Sequence, residues 1–84
     1  MNIDGLQSNV VGGASSLNVV AAKSGKLILK ILDVQGRIAK TVIESVEKGA
    51  HELMLNLNDL GEGNYVLNAF NGESFVKALR FTKE

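Results

Sequence analysis

The chain has 84 residues, with 9 lysines and arginines against 9 aspartates and glutamates. That is the length of one small domain, whose single core leaves a surplus of only about 3–5 kcal/mol. Cysteine is absent, which excludes disulfides, thiolate zinc sites and cysteine nucleophiles, and the balanced charge gives no field to gather nucleic acid or anionic lipid.

Met1 precedes the polar Asn2, Asp4 and Gly5, without the charged and apolar regions of a secretory leader. The start reads as the interior of a linker, so a segment of a longer protein is expected. The apolar runs are far shorter than the ~20 residues of a membrane helix. Residues 1–15 are rich in Gly, Ser and Asn (Gly5, Ser8, Asn9, Gly12, Gly13, Ser15), with Val10 and Val11 as the strong β formers. A linker or one short edge strand is predicted there, with the folded domain covering 16–84.

Leu17, Val19 and Ala21 then alternate with polar or smaller neighbours, and Lys23-Ser24-Gly25 supplies a turn. Leu27, Leu29 and Ile31 follow on one face, so the pair reads as two strands of a hairpin. Asp33-Val34-Gln35-Gly36 reverses the chain, because Asp can accept bonds from the backbone ahead and Gly can take a positive φ. Arg37 to Val46 is β-branched but alternates poorly, since Lys40 interrupts the Ile38 and Val42 face. A strand with a bulge or bend is expected.

Glu47-Lys48-Gly49 turns the chain again, and His51, Leu53, Leu55 and Leu57 alternate with Ala50, Glu52, Met54 and Asn56 as a half-buried strand. A polar loop, Asn58 to Gly63, surrounds the apolar Leu60 and leads to Tyr65, Leu67 and Ala69 on one face. Asn71-Gly72 is a favoured hairpin turn. With a strict two-residue turn, Val76 and Ala78 would lie beside Leu67 and Tyr65, leaving Phe75, Leu79 and Phe81 on the opposite side; a longer turn would invert that assignment. Six or seven strands at roughly 8–12-residue spacing indicate an all-β sandwich of two antiparallel sheets.

The residues offer little for catalysis. His51 is the single histidine and reads as structural, near a strand end. Asp33, Asp59 and Glu62 have ordinary turn duties, and the other glutamates are isolated, whereas acid–base work needs carboxylates held together. No serine sits in a nucleophile elbow. Gly61-Glu62-Gly63 is followed by neither a basic residue nor a helix start, so it is a turn and not a phosphate loop. The chain has no Trp, one Tyr and three Phe, which leaves few rings for a sugar platform. A non-enzyme without cofactor, metal, small-molecule ligand or nucleic-acid partner is expected.

Taken together, Leu29-Lys-Ile-Leu-Asp-Val-Gln-Gly-Arg37, Gly49-Ala50-His51 with its leucine strand, Leu60-Gly61-Glu62-Gly63-Asn64-Tyr65 and a basic last strand resemble the C-terminal sorting domains of proteins exported by the type IX (Por) secretion system. The likeness covers residues 17–84. It implies an immunoglobulin-like sandwich in which Gly36 and Gly49 release turns after Asp33 and Lys48. It also implies that Leu60 plugs the core, Gly63 lets the backbone pass closely, and Tyr65 acts as a tyrosine corner. Such domains are attached behind a cargo domain, cross the periplasm folded, and are recognised by outer-membrane export machinery. They are then commonly removed by a sortase-like peptidase or retained at the cell surface. Lys77, Arg80, Phe81 and Lys83 on the last strand are the expected recognition residues, presented as an edge or charged face, or else cations that merely guard an edge. Two departures stand out: Asn9 is followed by Val10 where the family often has proline, and the chain ends Lys83-Glu84. The alternative is an immunoglobulin-like spacer or adhesive module similar to that of the flagellar hook-capping protein, which shares the Asp-x-x-Gly-Arg and Gly-x-Tyr segments. A fibronectin type III module fits less well, for want of its core Trp and prolines.

Overall fold

The computed structural model describes residues 1–6 and 10–84. Among these it contains eight strands and no helix: β1 (Asn2–Leu6), β2 (Val10–Val11), β3 (Ala14–Ala21), β4 (Gly25–Leu32), β5 (Ile38–Val46), β6 (Gly49–Asn56), β7 (Gly63–Asn71) and β8 (Ser74–Lys83). They form a three-stranded sheet, β1-β3-β6, and a five-stranded sheet, β2-β8-β7-β4-β5. The all-β class expected from the alternation is present. The strand number exceeds the expected six or seven because the N-terminal segment contributes two strands.

That segment holds the short edge strand expected at Val10 and Val11 and, beyond the expectation, a second strand, β1. Local composition there is linker-like, but pairing is decided by what lies alongside. β1 runs antiparallel to the free edge of β3 and buries Ile3, while β2 runs parallel to the end of β8 and buries Val11. The chain therefore joins the fold well before residue 16, and the five-stranded sheet is not purely antiparallel. Ser8 and Asn9, part of the expected linker, lie outside the described residues.

Both sheets feed one apolar cluster. β3 contributes Leu17, Val19 and Ala21, β4 Leu27, Leu29 and Ile31, and β7 Leu67 and Ala69, while Leu55, Leu57 and Leu60 close one end. The expected β3–β4 hairpin is absent: β3 pairs with β1 and β6, whereas β4 pairs with β5 and β7. Inward alternation is the same whether two strands are neighbours or face each other across a core, so the pattern alone could not separate the cases. Residues 22–24 carry the chain from one sheet to the other.

The Asp33–Gly36 reversal closes a true β4–β5 hairpin. Gly36 N–H donates to Asp33 O at 3.0 Å, and Gly36 has φ of 81°, which L-residues adopt only at a cost of about 1–2 kcal/mol. Along β5 the pairing shifts between Ile31–Lys40 and Leu32–Ile38, which makes Ala39 the bulged residue. The bulge accounts for the imperfect alternation there.

At the β7–β8 hairpin the turn residues are Gly72 and Glu73, between the paired Asn71 and Ser74, one position later than expected. That shift alone would keep Ala78 opposite Leu67. A second register shift, at Val76, changes the parity, so Leu67 faces Leu79 and Tyr65 faces Phe81. The inverted facing is realised for Leu79 and Phe81, and its cause is the bulge; Phe75, which precedes the bulge opposite Phe70, is 59% exposed.

Leu29 is fully buried and Met54 is 68% exposed. Leu29→Ala should cost about 2–5 kcal/mol, close to the whole stability of so small a domain, whereas Met54→Ala should stay within about 0.5 kcal/mol. Urea unfolding followed by circular dichroism checks both; equal effects would contradict the shared core.

Candidate recognition surface

The four residues singled out on the last strand do not form one face. Phe81 is buried, 3% exposed, with its ring stacked on Tyr65 at 5.5 Å. Lys83 is 8% exposed, and its amine lies 3.4 Å from Glu84 O. Lys77 donates from Nζ to Ile3 O at 3.1 Å, linking the last strand to β1. Lys77 and Arg80 are both exposed, but of the four only Arg80 lies on the outer side of the five-stranded sheet, opposite Val66. The Val76 bulge explains the split, because it sends Lys77, Leu79, Phe81 and Lys83 to the core side.

β8 is also not a simple edge. It pairs with β7 along its length and with β2 at Thr82 and Lys83. Deleting it would remove a strand from inside the sheet together with Phe81.

Three sequence blocks that are far apart meet at one end of the domain. An open groove of about 500 Å³ is lined by Asp33 and Val34 from the β4–β5 turn, by Asn64, Tyr65 and Val66 from β7, and by Arg80, Phe81 and Thr82 from β8. A smaller neighbouring groove extends to Arg37 and Glu62. Its polar parts are fixed by local bonds. Asp33 Oδ1 accepts the N–H groups of Gln35 at 2.9 Å and Arg37 at 3.0 Å, and Asp33 Oδ2 accepts Arg37 Nε at 3.0 Å. Thr82 Oγ1 donates to Asn64 Oδ1 at 2.7 Å. Val34 is 79% exposed, so the groove that Arg80 also lines has an apolar tip on its rim.

Tyr65 hydroxyl donates to Gly61 O at 2.8 Å. The bond ties the start of β7 back to the connection from β6, while the ring lies on Phe81. Leu60, 6% exposed, is inserted beneath that connection, and its N–H donates to Leu57 O at 3.1 Å. Gly63 differs from the expected close-pass role. A Cβ built there meets no heavy atom within 4 Å, and the requirement is conformational, with φ of 148°. Gly49, φ 122°, opens β6 in the other sheet.

Elsewhere, His51 Nε2 donates to Glu47 O at 2.7 Å, which fixes the ring at the start of β6. Lys40 Nζ pairs with Asp59 Oδ2 at 2.7 Å. Lys40, which interrupts the apolar alternation of β5, lies on the core side through its register opposite buried Ile31, where its stem covers apolar surface and its amine reaches the β6–β7 loop. Among the described residues no group of three His, Asp or Glu side chains could hold a metal ion, and no buried side-chain nitrogen or oxygen lacks a partner.

Two carboxyls are held below their ordinary range. For Asp33 the chief cause is the N–H of Arg37, and for Asp59 it is the hydrogen bond from Lys40. A carboxylate depressed in the folded state contributes stability above its unfolded-chain value, and that contribution is lost as pH falls through the folded value. Asp33→Asn should therefore flatten the loss of stability below about pH 4, measured by urea unfolding across an acid series; an unchanged acid limb would contradict the role given to Asp33. Tyr65→Phe should cost about 0.5–1.5 kcal/mol in the same assay at neutral pH while the Phe81 stacking is kept. No loss would show that the hydroxyl bond does not hold the corner.

No protein-family model matches the chain, and no curated protein does. Among solved structures, the alkylpurine DNA glycosylase AlkC of Pseudomonas fluorescens, bound to DNA containing an abasic site analogue, matches 99% of this chain with a TM-score of 0.53 and 14% identity. This chain spans 30% of that protein's chain. At that identity the likeness concerns the fold alone: a part of a longer protein takes a similar arrangement of strands.

Proposed function

We propose that this domain is a non-catalytic sorting module, which directs an attached cargo through the type IX secretion system to the cell surface or medium. The observation that carries the reading is the meeting of three of the four resemblance blocks around one groove. Asp33-x-x-Gly36-Arg37, Leu60 to Tyr65 and the basic last strand each have local structural work, yet together they line or border a single exposed surface. There, recognition rests on Arg80 and the Val34 tip, with Phe81 and Tyr65 as the rigid floor. Lys77 and Lys83 serve the fold, since their amines are taken up by Ile3 O and the chain end.

We further read the two sheets as an immunoglobulin-like sandwich. Support comes from the order β1-β3-β6 against β2-β8-β7-β4-β5, from the crossing between β6 and β7, and from the tyrosine at the start of β7 bonded a few residues upstream. The same features favour the second reading, an immunoglobulin-like spacer or adhesive module. Its specific support is the exposed apolar surface on the outer side of the larger sheet, where Ile38, Ile43 and Phe75 are each nearly three-fifths exposed.

A fusion of residues 1–84 behind a periplasm-targeted fluorescent protein, expressed in a bacterium with a type IX system, separates the readings. The intact fusion should be exported. A fusion carrying Arg80→Glu with Val34→Ser should stay in the periplasm while its circular dichroism is unchanged. Retention of the folded wild-type fusion would contradict the sorting reading and favour the spacer.

A further inference from the structure

The five-stranded sheet ends on β5, whose outer edge pairs with no strand among the described residues. This is nine residues of edge, rich in β-branched side chains (Ile38, Thr41, Val42, Ile43, Val46), in a chain without proline. Such an edge presents a row of unpaired N–H and C=O groups and is a template for another strand unless it is blunted. Here the blunting consists of the Ala39 bulge and the charges of Lys40 and Glu44.

Those charges are placed symmetrically about Val42 in the segment Lys40-Thr41-Val42-Ile43-Glu44. We infer that β5 pairs antiparallel with β5 of a second copy, with the two-fold axis at Val42. Lys40 then lies opposite Glu44 of the second copy, Thr41 opposite Ile43, and Val42 opposite Val42. The two five-stranded sheets join edge to edge, and two identical ion pairs flank the axis.

The charge pattern selects this arrangement against its competitors. Parallel in-register pairing would oppose Lys40 to Lys40 and Glu44 to Glu44, which is unfavourable. Sliding the antiparallel pair by two residues in either direction puts Lys40 opposite Val42 or Val46 and leaves the charges without partners. The faces also agree. Lys40, Val42 and Glu44 pair across β4 with Ile31, Leu29 and Leu27, all fully buried, so these three share the core side of β5. Half-buried Val42, already packed against the core, would be covered further, and Ile43, 58% exposed, would gain a neighbour. Lys40 keeps Asp59 as its partner at 2.7 Å; an ammonium has three donors, so it can hold a second carboxylate. Glu44 forms no ion pair among the described residues. The inference is independent of the sorting reading.

Sedimentation of the 84-residue protein from roughly 10 μM to 1 mM suits the weak association expected of a small interface. A reversible dimer should form, and hydrogen exchange at residues 40–44 should slow as concentration rises. Glu44→Lys opposes lysines across the axis and should weaken the dimer about tenfold or more. Mixing that variant with one carrying Lys40→Glu and Asp59→Asn should restore association as a heterodimer, because each lysine then meets a glutamate. A protein that stays monomeric at 1 mM, a dimer indifferent to Glu44→Lys, or a mixture that fails to associate would each overturn the inference.

Discussion

The structure depends on one constraint: both sheets must send their apolar side chains into the same small cluster. With 84 residues and neither cysteine nor proline, the chain has no covalent staple and no rigid turns to hold the layers. Burial of Leu17, Leu27, Leu29, Ile31, Leu57 and Leu67 supplies the cohesion, because apolar burial is the dominant favourable term in folding. The chain moves between sheets at residues 22–24, again between β5 and β6, and again between β6 and β7. Each crossing has to deliver the next strand with the correct side facing inward.

That requirement makes parity the controlling variable. Side chains alternate with period two, so an odd slip exchanges core and solvent faces. In the five-stranded sheet two bulges perform such exchanges, and β1 carries a further register shift between Ile3 and Leu6. At Ala39 the slip lets Ile38 point outward while Lys40, Val42 and Val46 keep the core side. At Val76 it carries Leu79 and Phe81 inward and leaves Arg80 outside. The second bulge therefore decides that Arg80 lies on the outer face while Lys77 and Lys83 lie on the core side.

Much of this was legible in the sequence, and the part that was not has a physical reason. The leucine alternations of β3, β4, β6 and β7, the Asp33–Gly36 reversal and the irregularity of β5 are local signals, carried by residues close together. The identity of each strand's neighbour is not local. Leu17 and Leu27 present the same pattern whether their strands pair or face one another, and β1, with Asp4 and Gly5 in it, becomes a strand only because β3 offers an edge. The facing of β8 turned on a single bulged residue that no alternation announces. The candidate site follows the same division. Asp33, Gly36, Leu60 and Tyr65 were identified with their turn and corner positions, but the groove on which their blocks converge with Arg80 is a property of the assembled strands. Lys77 and Lys83, grouped with Arg80 by sequence, are separated from it by the pleat, and Phe81, on their side, meets Arg80 only as a buried lining of the groove.

The central claim, that the two sheets stand or fall on one shared core, is most directly tested by native-state hydrogen exchange resolved residue by residue. The account predicts that amides of β3, at the centre of the smaller sheet, open with the same free energy as those of β4 and β7 in the larger one, and that all three report global unfolding. Exchange through β3 at markedly lower free energy than β4 and β7 would show that the sheets open separately, and would contradict a single core.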